Sequence, residues 1–392
     1  METSNRHLPA IVIVGYNRLE SLQRVMGSVL RAELGSDIPL VISLDGGGPP
    51  AIGQWAEQLS WPHGDKTVVC HPNNLGLRQH ILSCGDFTQK YGAAIVLEDD
   101  VWVGPDFYNY ACQALDASQG QDQVAGVSLY RQEVSQITWL PFTPTQDGSD
   151  AFYMQIPTSW GQAWTSDQWS GFRAWLAENA DFDFSQSRLP SDVLRWPSES
   201  SWKKFFFQYM LSTDKYFSFP FVSQATCFND EGVHTNRSNL VWQSSIQMGV
   251  GKQYAIPTWE QSESVYDSTF NPLACRMKKR NPELESYDFE PDLYGTKDLS
   301  KITKPWVLTC RSASVSEKTF GAKLRPLELN VAFNVSGDDL RLARVQHTDP
   351  APKQHYHLIG SLYPQFSRGM AMRRYKELLG QSLRRRFRRK PS

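Results

Sequence analysis

Ala93-Ala94-Ile95-Val96-Leu97-Glu98-Asp99-Asp100 decides how this chain folds. Its first five residues are apolar, and the run is too short for a core helix. Such a run reads as a buried strand of a parallel sheet. It stops in three consecutive carboxylates, which repel one another unless a cation relieves them. Upstream the same grammar recurs. Pro9 to Val14 is an apolar, β-branched run closed by Gly15; Leu19, Leu22, Val25, Met26, Val29 and Leu30 then follow at helical spacing. Pro39 to Leu44 is a second strand, stopped by Asp45-Gly46-Gly47-Gly48-Pro49-Pro50. Thr67 to Cys70 is a third, ahead of the loop His71 to Gly76 and a helix running to Lys90. Downstream, Pro105 opens a helix where its missing N–H does no harm.

Strands alternating with helices predict an α/β fold with a mostly parallel, Rossmann-like sheet flanked by helices. Ligands in such sheets bind at the carboxyl ends of the strands. That rule gathers Asn17, Asp45, Arg78 and the Glu98-Asp99-Asp100 triplet at one rim. Beyond Gly120 the rhythm loosens. Tryptophans crowd the next stretch (Trp160, Trp164, Trp169, Trp175), Ser201 to Leu211 reads as an aromatic helix, and Ser218 to Val222 as a strand. From Pro257 the composition turns charged and proline-punctuated. We therefore expect a main domain over 1–256, a C-terminal α+β extension over 257–367, and a tail over 368–392. Leu327, Leu329, Val331, Phe333 and Val335 alternate with other residues, then Ser336 to Asp339 reads as a turn before Leu340, Leu342 and Val345. That pattern predicts a β-hairpin with one buried face.

The chain has 392 residues, 40% hydrophobic and 21% charged, which excludes a disordered protein and exceeds one small core. No apolar run approaches the ~20 residues of a spanning helix. Met1 to Pro9 is short and polar, unlike a signal peptide. Six scattered cysteines without a Cys-x-x-Cys pair read as reduced thiols of a cytoplasmic protein. A net charge of −1 hides an asymmetry: Arg368 to Ser392 holds ten of the 40 basic side chains and only Glu377 of the 41 acidic ones. The tail also carries Met370, Met372, Leu378, Leu379, Leu383 and Phe387. A basic, partly amphipathic terminus suits an anionic membrane surface, each nearby cation adding about 1 kcal/mol. The acidic body speaks against nucleic acid, and a solubilising tail is the plain alternative.

An isolated Glu-Asp-Asp is ordinarily a solvated turn. Placed after a buried strand and among other loop clusters, it fits a divalent cation instead. Oxygen-only ligation suits Mg2+ or Mn2+, bound through one or two carboxylates with substrate phosphates completing the shell. Ile95 to Val101, followed by Pro105-Asp106-Phe107 and Tyr110, resembles the metal-binding segment of nucleotide-sugar glycosyltransferases of the GT-A fold. The nearest likeness is to N-acetylglucosaminyltransferase I and a set of bacterial sugar transferases. Val12 to Arg18 resembles their first strand and nucleotide loop, Leu40 to Gly47 the second, and Asn73 to Arg78 the loop and helix start that meet the nucleotide. Ser159 to Trp164 resembles the bacterial Trp-Gly-x-Ala-Trp signature, and Phe228 to Thr235 the closing loop. The likeness spans residues 9 to 240.

The resemblance implies a metal-dependent enzyme moving a sugar from a nucleotide-diphosphate donor, UDP above all, to a hydroxyl of a glycan or lipid-linked acceptor with inversion. It places Asp100 as the direct metal ligand and Glu98 and Asp99 toward the ribose and the metal's waters. Asn17, Asp45 and Arg78 would meet the nucleotide, Trp160 and Gly161 the sugars, and His234 the diphosphate or the metal. Turn former and helix-surface cation remain the alternatives for Asp45 and Arg78, and a structural role for His234. One departure stands out. Where the related enzymes carry a basic carboxylate before an aromatic helix, this chain has Ser201-Trp202-Lys203-Lys204-Phe205. Glu199, Asp192, Asp230 and Glu231 are the nearby candidates for the base an inverting displacement needs. The lysines leave a second reading, a catalytically silent scaffold that binds glycans or nucleotide sugars. A nucleotidyltransferase would need a Gly-rich, basic loop after the first strand, and none is there. A tail on the membrane would place the enzyme at the inner face of the cell membrane, working on lipid-carried acceptors in bacterial surface polysaccharide assembly.

Overall fold

The runs Ala10 to Val14, Leu40 to Leu44 and Ala93 to Leu97 become strands because they are buried on both faces, while the edge strand from Thr67 to Cys70 is only half-buried. In the computed structural model, which describes residues 8–228 and 240–351 with Gly369, Met372, Tyr375 and Lys376, the chain opens with β1 (Ala10–Gly15), α1 (Leu19–Val29), β2 (Leu40–Leu44) and α2 (Pro50–Gln58). Next come β3 (Lys66–Cys70), α3 (Gly76–Gly85), α4 (Phe87–Tyr91), β4 (Ala93–Glu98), β5 (Val101–Val103) and α5 (Phe107–Ser118). The looser half supplies β6 (Val124–Ser128), β7 (Ala151–Met154), β8 (Gln162–Thr165), α6 (Ser166–Glu178), α7 (Ser191–Leu194), α8 (Trp202–Ser212), β9 (Tyr216–Pro220) and β10 (Ala225–Cys227). A last short strand, β11 (Val265–Tyr266), lies beyond residue 256 and still joins the large sheet.

That sheet has nine strands in the order β11-β7-β9-β6-β8-β4-β1-β2-β3. β3, β2, β1 and β4 run parallel, while β8 enters antiparallel between β4 and β6. Val12 is the register centre, facing Val41 on one side and Val96 on the other. Alternation along the strands feeds two cores. Ile11, Ile13, Ile42, Ile95 and Leu97 meet Leu22, Val25, Met26 and Val29 of α1 and the α5 aromatics. Val12, Val41 and Val96 face the opposite layer with Trp164, Trp169, Phe172 and Phe206. Trp164 lies 4.7 Å from Trp169 and 5.9 Å from Phe206, ring centre to ring centre, so these tryptophans are core and not binding surface.

Beyond the sheet, β12 (Phe289–Asp292), β13 (Trp306–Thr309), β14 (Lys318–Phe320) and β15 (Leu340–Arg344) form a separate four-stranded sheet, in the order β12-β13-β15-β14. Here the expected hairpin is corrected. Residues Glu328–Ala332 form a helix, Phe333 is 68% exposed, and β15 pairs with β13 and β14 instead. Polar side chains override the alternation. Buried Glu328 accepts hydrogen bonds from Thr145 Oγ1 (2.8 Å) and Tyr266 Oη (2.7 Å), and Asn330 Oδ1 accepts from the Lys323 and Leu324 amides (2.8 and 2.9 Å). An extended strand with Leu327, Leu329 and Val331 inward would strip both residues of these partners, a loss of about 1–3 kcal/mol for each buried group. No helix among the described residues is long and apolar enough to cross a membrane. Most of the basic tail lies outside the described residues.

Candidate functional site

The loops after β1, β2 and β3 meet backbone to backbone, which only glycine allows. A Cβ on Gly46 would stand 2.2 Å from the Asn73 carbonyl carbon, and one on Gly48 2.2 Å from the Tyr16 carbonyl oxygen. Asp45 ties the same junction. Its carboxylate accepts from the amides of Gly46 (2.8 Å), Leu75 (2.7 Å) and Gly76 (3.1 Å), so it fixes the β2 loop against the start of α3. Asn17 stands exposed on the β1 loop. Arg78, in the first turn of α3, leans toward α8: Nη1 donates to the Ser198 carbonyl (3.2 Å) and the guanidinium lies 4.0 Å from the Phe205 ring centre. Burial lowers its pKa from the ordinary value.

The triplet sits where β4 leaves the sheet, and its three carboxylates do different things. Asp99 is paired with Arg18, Nε to Oδ2 at 3.0 Å and Nη2 to Oδ1 beside it, while burial still raises its pKa. Glu98 Oε1 and Asp100 Oδ1 are buried and have no hydrogen-bond partner among the described residues. Burial, then the Asp100 charge, pushes Glu98 up to about 8, against a pull downward from Lys203 and Arg18. Burial, then the Asp99 charge, pushes Asp100 up to about 6. Two carboxyl oxygens held without a partner in low dielectric are what a hard cation satisfies. Among the described residues no cage of three or more His, Cys, Asp or Glu side chains exists. The pair therefore fits Mg2+ or Mn2+ only as a partial shell, with water and phosphate completing it.

The two lysines that replace the expected carboxylate part company. Both lie in the first turn of α8, whose N-cap Ser201 accepts from the Lys204 amide (3.2 Å). Lys204 turns away from the triplet and donates to the carbonyls of Leu194 (2.9 Å) and Trp196 (2.8 Å) and to Ser198 Oγ (3.2 Å). Lys203 turns toward it. Its ammonium donates to Ser159 Oγ (3.3 Å), lies 4.8 Å from the Trp196 ring centre, and feels the charges of Glu98 and Asp100. Burial lowers its pKa, and those two carboxylates oppose the shift.

An aromatic chain leads outward from this point. Lys203 Nζ is 6.0 Å from the Trp160 ring, Trp160 packs on Tyr130 (4.8 Å) and Trp242 (5.9 Å), and Trp242 on Trp139 (5.4 Å), which is 55% exposed. Gly161 has a backbone reason to be glycine: its φ is +90°, and a Cβ would stand 3.1 Å from that of Leu129. Glu199 is exposed on the loop before α8, where its charge acts on Lys204. Asp192 is paired with Arg195. Asp230, Glu231 and His234 lie outside the described residues. Asp45 and Arg78 thus lie at the start of α3, Glu98, Asp99 and Asp100 at the end of β4 with Arg18 on Asp99, and Trp160 beside Lys203, Tyr130 and Trp242. Lysines placed between Trp202 and the run Phe205-Phe206-Phe207 were the available signal for a buried ammonium.

No protein-family profile matches the chain, and no curated protein is similar to it. Among solved structures it is similar to the mannosyltransferase PcManGT from Pyrobaculum calidifontis, in complex with GDP-Man and Mn2+, at 15% identity and a TM-score of 0.29, covering 45% of this chain and 48% of that one. It is also similar to TarS from S. aureus in complex with UDP (10% identity, TM-score 0.32, 54% and 57% covered). HddC from Yersinia pseudotuberculosis is a third (14% identity, TM-score 0.26, 41% and 77% covered). The chain spans about half the length of the first two.

Proposed function

We propose that this chain is a metal-dependent glycosyltransferase of the GT-A fold that moves a sugar from a UDP-sugar to a hydroxyl of a glycan or lipid-linked acceptor with inversion. One observation carries the reading. Glu98 and Asp100 present buried oxygens without a partner among the described residues at the carboxyl end of β4, beside a rim where three glycine-tightened loops converge. Asp100 and Glu98 would hold Mn2+ or Mg2+, with His234 as a further ligand. The ion, when bound, would offset the negative charge that develops on a departing diphosphate.

The protein's own groups do the rest. Asp45 keeps the β2 loop and the start of α3 in fixed register, so the rim is formed before a nucleotide arrives. The Arg18–Asp99 pair neutralises one carboxylate and leaves the other two for ligation. Trp160 offers an aromatic face to the sugar, and the ring chain through Trp242 to Trp139 continues outward as an acceptor path. Glu199, Asp230 and Glu231 are the carboxylates from which the acceptor's base is drawn. The basic tail would hold the enzyme on an anionic membrane at the cytoplasmic face, where lipid-carried acceptors of surface polysaccharide assembly reside. Loss of residues 380–392 should then abolish cofractionation with membranes.

The scaffold reading is favoured by one feature only, a lysine where the base is expected. Turnover separates the two. Incubating the full chain and Mn2+ with UDP- and GDP-sugars should release nucleoside diphosphate from at least one donor. Binding of a donor with no release from any would support the scaffold.

A further inference from the structure

Lys203 is a cation built into the acidic site. It stands in the first turn of α8, its ammonium has Ser159 Oγ as its one hydrogen-bond acceptor among the described residues, and Trp196 and Trp160 wall it on two sides. Its acceptor Ser159 lies just before β8, whose Gln162 faces Val96 of β4, so Lys203 stands by the end of β4 that carries Glu98 and Asp100, whose Oε1 and Oδ1 have no partner among the described residues. An ammonium has three donors to place. Neighbouring Lys204 satisfies all three on protein oxygens. Lys203 has a single acceptor among the described residues, which leaves two of its donors available to a ligand.

We propose that Lys203 couples metal binding to nucleotide binding: it counters the acidic pair while the site lacks a diphosphate, and donates to the diphosphate oxygens once one arrives. The inference rests on the glycosyltransferase reading and adds a residue and an order of binding to it. Charge balance gives the reason. With Lys203 in place, a divalent ion entering alone must overcome a resident positive charge in a poorly solvated pocket. A diphosphate entering with the ion supplies the missing negative charge and an acceptor for the ammonium. Metal and nucleotide then favour each other, and by linkage the factor is the same in both directions.

The test measures Mn2+ affinity of the full chain by electron paramagnetic resonance, with and without UDP, and UDP affinity with Mn2+ present. Wild type, Lys203→Met and Lys203→Arg are compared. Lys203→Met should tighten Mn2+ binding without nucleotide by roughly five- to tenfold and weaken UDP binding by a similar factor, the lower range of a single coupling. Lys203→Arg keeps the charge and should restore wild-type coupling. Should the Met variant fail to fold, Lys203→Gln serves the same comparison. Unchanged affinities in variants that bind both ligands overturn the role of Lys203 alone. Absence of Mn2+ and UDP binding from wild type overturns the glycosyltransferase reading beneath it.

Discussion

Glu98→Gln removes one charge from the site with almost no change in shape, and its effect should depend on pH. The Glu98 carboxyl is held at about 8 against an ordinary 4.5. The folded protein therefore keeps a proton that the unfolded chain releases, and stability falls as pH rises from about 4.5 to about 8. Every tenfold difference in proton affinity between the folded and unfolded chains is worth about 1.4 kcal/mol, so the whole range sets an upper limit of about 5 kcal/mol. Asp100 shares the pocket and titrates with it, so about 2–4 kcal/mol is expected from this substitution alone. At roughly 2–4 °C per kcal/mol for a domain of this size, the variant should melt about 5–10 °C above wild type at pH 8.5. At pH 4.5 the two should melt together, because folded Glu98 is then neutral like the glutamine. Thermal melts in chelator across that range provide the assay, and added Mn2+ should narrow the gap at high pH. A difference between the two proteins that stays constant with pH would refute a buried, cation-seeking carboxylate at this position.

Arg18→Gln takes the partner from Asp99, whose side chain is 12% exposed, and should destabilise the protein by about 1–3 kcal/mol at pH 7 in urea unfolding. Acid should recover part of that loss as Asp99 takes up a proton. Gly161→Ala forces a side chain into a backbone with φ +90° and against Leu129, and should lower the melting temperature by an amount equivalent to about 1–3 kcal/mol.

The strand–helix half was legible because its signals are local. The runs Pro9–Val14, Pro39–Leu44 and Ala93–Leu97 are short, apolar and ended by breakers, and each lies on a strand within a residue or two of the expected bounds. The rim followed from the rule that parallel strands end together. What was not legible depends on contacts far apart in sequence. The partner of Asp99 lies 81 residues away, and that of Glu328 at Thr145 lies 183 away. The alternation from Leu327 to Val335 misled because a polar residue with a buried partner can outrank an apolar neighbour. The division of labour between Lys203 and Lys204 is also invisible in sequence. It depends on three acceptors that the turn before α8 presents to one lysine and not to the other.

Titration calorimetry of UDP into the full chain, with and without Mn2+, puts the central claim to its most direct test when repeated on Asp100→Asn. Wild type should bind UDP with Mn2+ far more tightly than without it, and the asparagine variant should lose that gain while remaining folded. Equal, Mn2+-independent binding of UDP by the two proteins would contradict a metal seated on Asp100.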